Sequence, residues 1–221
     1  MHKNLPKYYY FIDSFNKEHI KNLNKNIAII FRNYTKPLDL NQIIIIKEFC
    51  KLTKRKFLIS NNVKLALKLN LDGVYLPSFN KSYKINNYLK KTNFIIIGSA
   101  HNLHEVKIKE KQGVDAVFLA SLFNQKRTYL GIERFKILKN QTKLKTIALG
   151  GLNQNNIKKL KLLNVFGFAA ISFFKEVKKN GPYTNKGRLK AAPVYREKRS
   201  QAHQSMRRAS PPAPRPCHGH R

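Results

Sequence analysis

Eight short apolar runs constrain this chain more than any other feature. They are YYYFI (8–12), IAIIF (27–31), KFLIS (56–60), GVYL (73–76), FIIIG (94–98), AVFLA (116–120), TIALG (146–150) and FAAIS (168–172). Each is β-branched or aromatic and nearly continuously apolar, as a strand covered on both faces must be. Between the runs lie segments with helical spacing. Residues 39–54 place Leu40, Ile43, Ile44, Cys50 and Leu52 on a broad apolar face. Asn61 or Asn62 is positioned to cap a helix carrying Val63, Leu65, Ala66 and Leu69. Asn102 precedes a helix over 103–112, and Glu105 three residues later makes a capping-box-like arrangement. Asn153 is positioned to cap 154–164, where Ile157, Leu160 and Leu163 keep an apolar spacing.

Eight βα units in succession predict an α/β fold, a small (β/α)8 TIM barrel. A doubly wound open sheet permits the same alternation. The absence of GxGxxG after the first run favours the barrel. After Phe174 only KEVKK (175–179) remains before Asn180-Gly181-Pro182, so the last helix is expected to be incomplete or atypical.

The formal charge of +33 divides unevenly along the chain. Residues 1–174 hold 31 basic and 9 acidic residues, and residues 175–221 hold 13 and 2. All 20 isoleucines lie at or before Ile171, while six of the nine prolines lie at or beyond Pro182. A stretch such as SMRRASPPAPRPCHGHR (205–221) has no apolar period with which to offset chain entropy. The expected organisation is therefore a barrel domain over 1–179 and a basic, Pro/Arg-rich disordered tail over 180–221. That tail is either an arm for anionic partners, including non-specific nucleic acid, or a segment foreign to the domain. No run approaches 18 apolar residues, and no apolar leader opens the sequence. Two cysteines cannot build a disulfide framework. A cytoplasmic protein without membrane partners is expected, with Cys50 in the core.

Active sites of such barrels lie at the C-terminal ends of the strands. Those positions carry Arg32, Ser60-Asn61-Asn62, Asn80, Ser99, His101, Lys126, Arg127, Gly150-Gly151 and Ser172. The mouth is polar and cationic with almost no carboxylates. This argues against paired-carboxylate acid–base chemistry and against an all-protein Mg²⁺ cage. Arg32, His101, Lys126 and Arg127 suit an anionic ligand. Gly150-Gly151 ahead of a helix lets backbone N–H groups approach a phosphate, unless it is merely a tight turn.

These residues, in this order, resemble the thiamine-phosphate synthase family, which includes the thiazole tautomerases. The resemblance spans roughly 8–174. Its most specific piece is LDGVYLP (71–77), after VKLALKLN (63–70); FRNY (31–34), GSAHNLHE (98–105), DAVFLASLF (115–123), IALGGLNQNNIKKL (147–160) and FGFAAISFF (166–174) complete it. The resemblance implies a TIM barrel that couples an aminopyrimidine pyrophosphate to a thiazole phosphate and releases pyrophosphate. It implies that Arg32 holds pyrophosphate with Ser99 nearby, and that Gly151 and Ser172 hold the thiazole phosphate. Asn61 and Asn80 fall on the family's two Mg²⁺-binding aspartates, so a weakened Mg²⁺ site is expected there. Lys126 and Arg127 fall near the family's loop lysine, in a shifted register. The tautomerase histidine falls on Ser121. The implied activity is thiamine-phosphate synthesis. The alternatives are a catalytically degenerate barrel that binds a small phosphorylated ligand, or a basic nucleic-acid-binding protein.

Overall fold

All eight apolar runs are strands, and they close on themselves. In the computed structural model of the chain, residues 3–34, 37–88, 93–176 and 183–184 are described. The strands are β1 (Tyr8–Ile12), β2 (Ile27–Phe31), β3 (Phe57–Ser60), β4 (Gly73–Leu76), β5 (Ile95–Ala100), β6 (Ala116–Leu119), β7 (Lys145–Leu149) and β8 (Gly167–Ala170). Every neighbouring pair is parallel, and Tyr8, Tyr9 and Tyr10 of β1 pair with Phe168, Ala169 and Ala170 of β8. That closure settles the choice between barrel and open sheet in favour of the barrel.

Strand alternation divides the buried side chains into two cores. Tyr9, Phe11, Ile30, Leu58, Tyr75, Ile97 and Phe118 belong to one cluster, which fills the barrel. Tyr8, Tyr10, Ile29, Phe31 and Ile59 belong to the other, packed outward against the helices. Continuous apolar runs are the consequence: both faces of the strands are dry except at the two ends of β7.

The helices are α1 (Lys17–Asn22), α2 (Leu40–Leu52), α3 (Val63–Lys68), α4 (Leu103–Lys111), α5 (Gly131–Asn140) and α6 (Ser172–Lys175). Asn62 caps α3 and Asn102 caps α4, each accepting from the backbone N–H three residues on. Two expectations change. The buried face of α2 is Ile43, Ile46, Phe49 and Cys50, whereas Leu40, Ile44 and Leu52 are exposed. The consecutive isoleucines 43–46 leave the apolar face ambiguous by rotation, and the spacing of Phe49 and Cys50 decides it. Residues Ile157–Leu163 form a 3₁₀ helix in place of the expected α-helix over 154–164. Ile157, Leu160 and Leu163 are spaced by three, which stacks them on one edge of a 3₁₀ helix. Asn153 caps a local turn there, accepting from the N–H groups of Asn155 and Asn156 at 3.0 Å each.

Among the described residues the last helix is the short α6. Its Phe173 and Phe174 are buried, and Tyr183 packs edge-on against both. Tyr183 accepts a hydrogen bond from Asn24 N, and Thr184 bridges Leu23. These two residues beyond position 180 thus belong to the barrel's packing, and the rest of the expected 180–221 tail lies outside the described residues.

Candidate active site

The C-terminal ends of the strands carry the expected site residues, and the contacts join them into separate groups. The floor of the mouth is aromatic. Phe11, Tyr75 and Phe118 pack edge-on or tilted, with centroids 5.1–5.7 Å apart. Arg32 follows the inward positions Ala28 and Ile30 of β2, so its guanidinium lies over this floor, 4.9 Å from the Phe11 ring. Arg32 N also donates to Ile12 O at 2.8 Å, which fixes the loop that carries it. Ser99 is buried, and its hydroxyl lies 2.9 Å from the Tyr75 hydroxyl. Burial pushes the Tyr75 pKa up to about 12, against the smaller pull of Ser99 and Arg32. Tyr75 therefore stays a neutral hydroxyl that can donate. On the rim, Tyr34 hydrogen-bonds Ser60 at 2.8 Å and meets Phe79 edge-on. A cleft of about 210 Å³, lined in part by Asp13, Asn33, Gln42 and Ser60, opens beside it, outside the barrel interior.

A second group joins the two positions expected to bind Mg²⁺. Asn61, in a left-handed conformation (φ 57°), presents its side-chain oxygen to Asn80 Nδ2 at 2.6 Å. Asn80 Oδ1 in turn accepts from Ser82 N at 3.0 Å and from Gln112 Nε2 at 3.3 Å. Behind them lies Lys109, fully buried, its ammonium donating to Pro77 O, Asn80 O and Gln112 Oε1 at 2.7–2.9 Å. Burial lowers the Lys109 pKa to about 8, against a weaker opposing effect of Glu105. Both amide oxygens are thus occupied by N–H donors, and a buried cation stands behind them. Among the described residues no three of His, Cys, Asp and Glu come together. A hard divalent cation needs several free oxygens, and this donor set does not fit one.

A third group surrounds the loop after β6. His101 Nδ1 lies 2.7 Å from Ala120 O, so that nitrogen carries the proton and ties β5 to the end of β6. The His101 peptide N–H donates to Glu105, which completes the capping arrangement one residue earlier than a standard box. Gly150 and Gly151 both have positive φ, 101° and 72°. A Cβ on Gly150 would stand 2.5 Å from Ser121 Oγ, and one on Gly151 would stand 2.5 Å from Asn124 N. The pair is glycine because the 121–124 segment lies directly on it, in addition to any phosphate it receives. Lys126 and Arg127 are exposed on that same loop, and Ser172 is exposed at the start of α6.

Tyr75, Lys109 and Gln112 are the site residues that sequence reasoning missed. Lys107, Lys109 and Lys111 alternate along α4 and look alike in sequence. The available signal was Gly98 inside a strand: a Cβ there would stand 2.6 Å from Lys109 Cδ, so the missing side chain makes room for the lysine.

A family model described as thiamine monophosphate synthase matches residues 23–174. The thiamine-phosphate synthase of Coprothermobacter proteolyticus is 29% identical over 133 residues, covering 58% of this chain and 63% of that protein. The thiamine-phosphate synthase of Pelagibacter ubique is 30% identical over 155 residues, covering 67% of this chain and 74% of that one. The first of these relatives is thus matched over less than two thirds of its length. Among solved structures, the thiamine phosphate pyrophosphorylase of Pyrococcus furiosus superimposes with a TM-score of 0.63 at 23% identity, over 76% of this chain and 86% of that chain. That last likeness establishes the fold alone.

Proposed function

This chain belongs to the thiamine monophosphate synthase family, and from that membership we propose that it couples an aminopyrimidine pyrophosphate to a thiazole phosphate. The observation that carries the reading is Arg32, held over an aromatic floor in a mouth with few carboxylates. In the coupling, the bond from the pyrimidine methylene carbon to the pyrophosphate oxygen breaks. Its electron pair leaves with pyrophosphate. The thiazole nitrogen supplies the pair for the new C–N bond, and no proton need move. What the site must supply is stabilisation of separating charge. Arg32 suits the departing pyrophosphate, with the Tyr75 and Ser99 hydroxyls beside it. The faces of Phe11, Tyr75 and Phe118 suit a flat cationic ring. Lys126 and Arg127 add positive charge from the β6 loop, and Gly151 and Ser172 are the proposed hold on the thiazole phosphate. No step is assigned to Mg²⁺, because the amides at 61 and 80 do not fit it.

A second reading rests on those same amides: a barrel that binds phosphorylated pyrimidine or thiazole without coupling them. Arg32→Ala separates the two. If the chain couples, this change lowers pyrophosphate release by about 10²–10³-fold; an unchanged rate rules out the role given to Arg32. Saturable binding of either compound without turnover selects the second reading.

Among the described residues no helix is long and apolar enough to cross a membrane. We place the protein in the cytoplasm with its small phosphorylated substrates. Contact with nucleic acid is confined to non-specific, salt-sensitive attraction by the basic tail.

A further inference from the structure

We propose that the Asn61–Asn80 rim binds phosphate oxygens directly through N–H donors, so that pyrophosphate is held without a divalent cation. The reading of the protein as a coupling enzyme enters only in naming the ligand as a pyrophosphate ester; the chemistry of the rim stands on its own contacts.

Hydrogen-bond direction sets the polarity of this rim. An ammonium has donors and no acceptor. Lys109 is fully buried and meets three oxygens: Pro77 O, Asn80 O and Gln112 Oε1. Gln112 must therefore turn its oxygen to Lys109 and its NH₂ the other way. The other partners of that NH₂ agree, since it lies 2.9 Å from Ser82 O and 3.1 Å from Asn80 O, both of which can only accept. The same NH₂ reaches Asn80 Oδ1 at 3.3 Å. Ser82 N donates to that Oδ1 at 3.0 Å, which independently fixes it as oxygen. Asn80 must then offer its NH₂ to Asn61, and it does so at 2.6 Å. Asn61 accepts through its oxygen, and its own NH₂ is the free end of the series, on an exposed residue.

Four side chains thus point the same way, from a buried cation to an exposed N–H donor. A site for Mg²⁺ needs lone pairs facing outward. This one faces lone pairs inward and hydrogens outward, the polarity that suits an anion. Gly98 is part of the arrangement, because only a residue without Cβ leaves room for the Lys109 stem.

The test measures binding of inorganic pyrophosphate to the full chain by calorimetry, once with a chelator and once with excess Mg²⁺. The proposal expects saturable binding in chelator and less than about a threefold change on adding Mg²⁺. Asn61→Asp keeps the acceptor and tolerates the left-handed backbone, but it replaces the outward donor with an acceptor. In that variant, binding in chelator should weaken by about tenfold or more, and Mg²⁺ should restore it. Asn61→Gly, also at ease with positive φ, removes the donor without adding charge and should weaken binding in both conditions. Wild-type binding that is absent, or that needs Mg²⁺ by tenfold or more, overturns the proposal. So does binding unaffected by Asn61→Gly. Coupling that demands Mg²⁺ would sink this inference and leave the proposed activity standing. Pyrophosphate binding in chelator without coupling would do the reverse.

Discussion

His19 shows how a single residue off the mouth sets a measurable property. It lies edge-on to Tyr10, with ring centroids 5.7 Å apart. Burial lowers its pKa, a hydrogen bond with the Phe174 backbone opposes in part, and the charge of Lys175 adds a smaller lowering. The folded state therefore prefers neutral imidazole more than the unfolded chain does. The resulting stability is present above the unfolded pKa of about 6.5 and is lost as pH falls through the lower folded value. Tm measured from pH 7.5 to pH 5 should drop more steeply for the natural chain than for His19→Gln; parallel curves would contradict this. At this scale the sequence was only partly legible. Arg32, Ser99 and His101 were readable because each follows the end of an apolar run. Lys109 was not, because three alternating lysines on one helix carry no mark of which one turns inward. Nor was Arg55, whose buried guanidinium accepts nothing and donates to the carbonyls of Ile20, Leu23 and Asn24. Its partners are more than thirty residues away, and no local pattern announces them.

Among the elements, the barrel's lower face repeats one device. Asp72, just before β4, accepts from Phe57 N at the start of β3, 3.0 Å away. Asp115, just before β6, accepts from Ile96 N on β5 at 2.8 Å and pairs with Lys3 at 3.0 Å. Each carboxylate links successive strands at the end opposite the mouth. The LDGVYLP segment that most resembled the family is therefore anchored by a stabilising aspartate rather than a catalytic one. Gly73 beside it opens β4 where a Cβ would stand 2.1 Å from Ile95 O. Asp115→Ala leaves the Ile96 N–H without its partner and should cost about 2 kcal/mol, seen as a fall in Tm of roughly 4–8 °C with turnover per folded molecule unchanged. No change in Tm would show that water replaces the carboxylate. Strands were legible nearly to the residue because two-sided burial writes itself as an apolar run. Helices were legible less well, because they are covered on one side and four adjacent isoleucines fit more than one face.

At the scale of the whole molecule, the barrel is closed by aromatic packing at both its first and last elements. Tyr183 meets Tyr8, Phe168, Phe173 and Phe174 with centroids 5.2–6.2 Å apart. The expected boundary at 180 followed a switch in composition, and composition does not register a single docked tyrosine. Tyr183→Ala should cost about 3 kcal/mol by loss of a buried ring, lowering Tm by roughly 6–12 °C; an unchanged Tm would show that the docking adds no stability. The +33 charge also reads differently against the fold. Lys109 and Arg55 are buried structural cations, Arg32 belongs to the mouth, and Lys126 and Arg127 lie exposed beside it. The decisive property is whether this cationic mouth couples the two substrates. The most direct measurement is ³¹P NMR of the full chain mixed with aminopyrimidine pyrophosphate and thiazole phosphate. Inorganic pyrophosphate and thiamine phosphate should appear in equal amounts while both substrates decline. Substrate resonances that persist unchanged in intensity over many hours would contradict this.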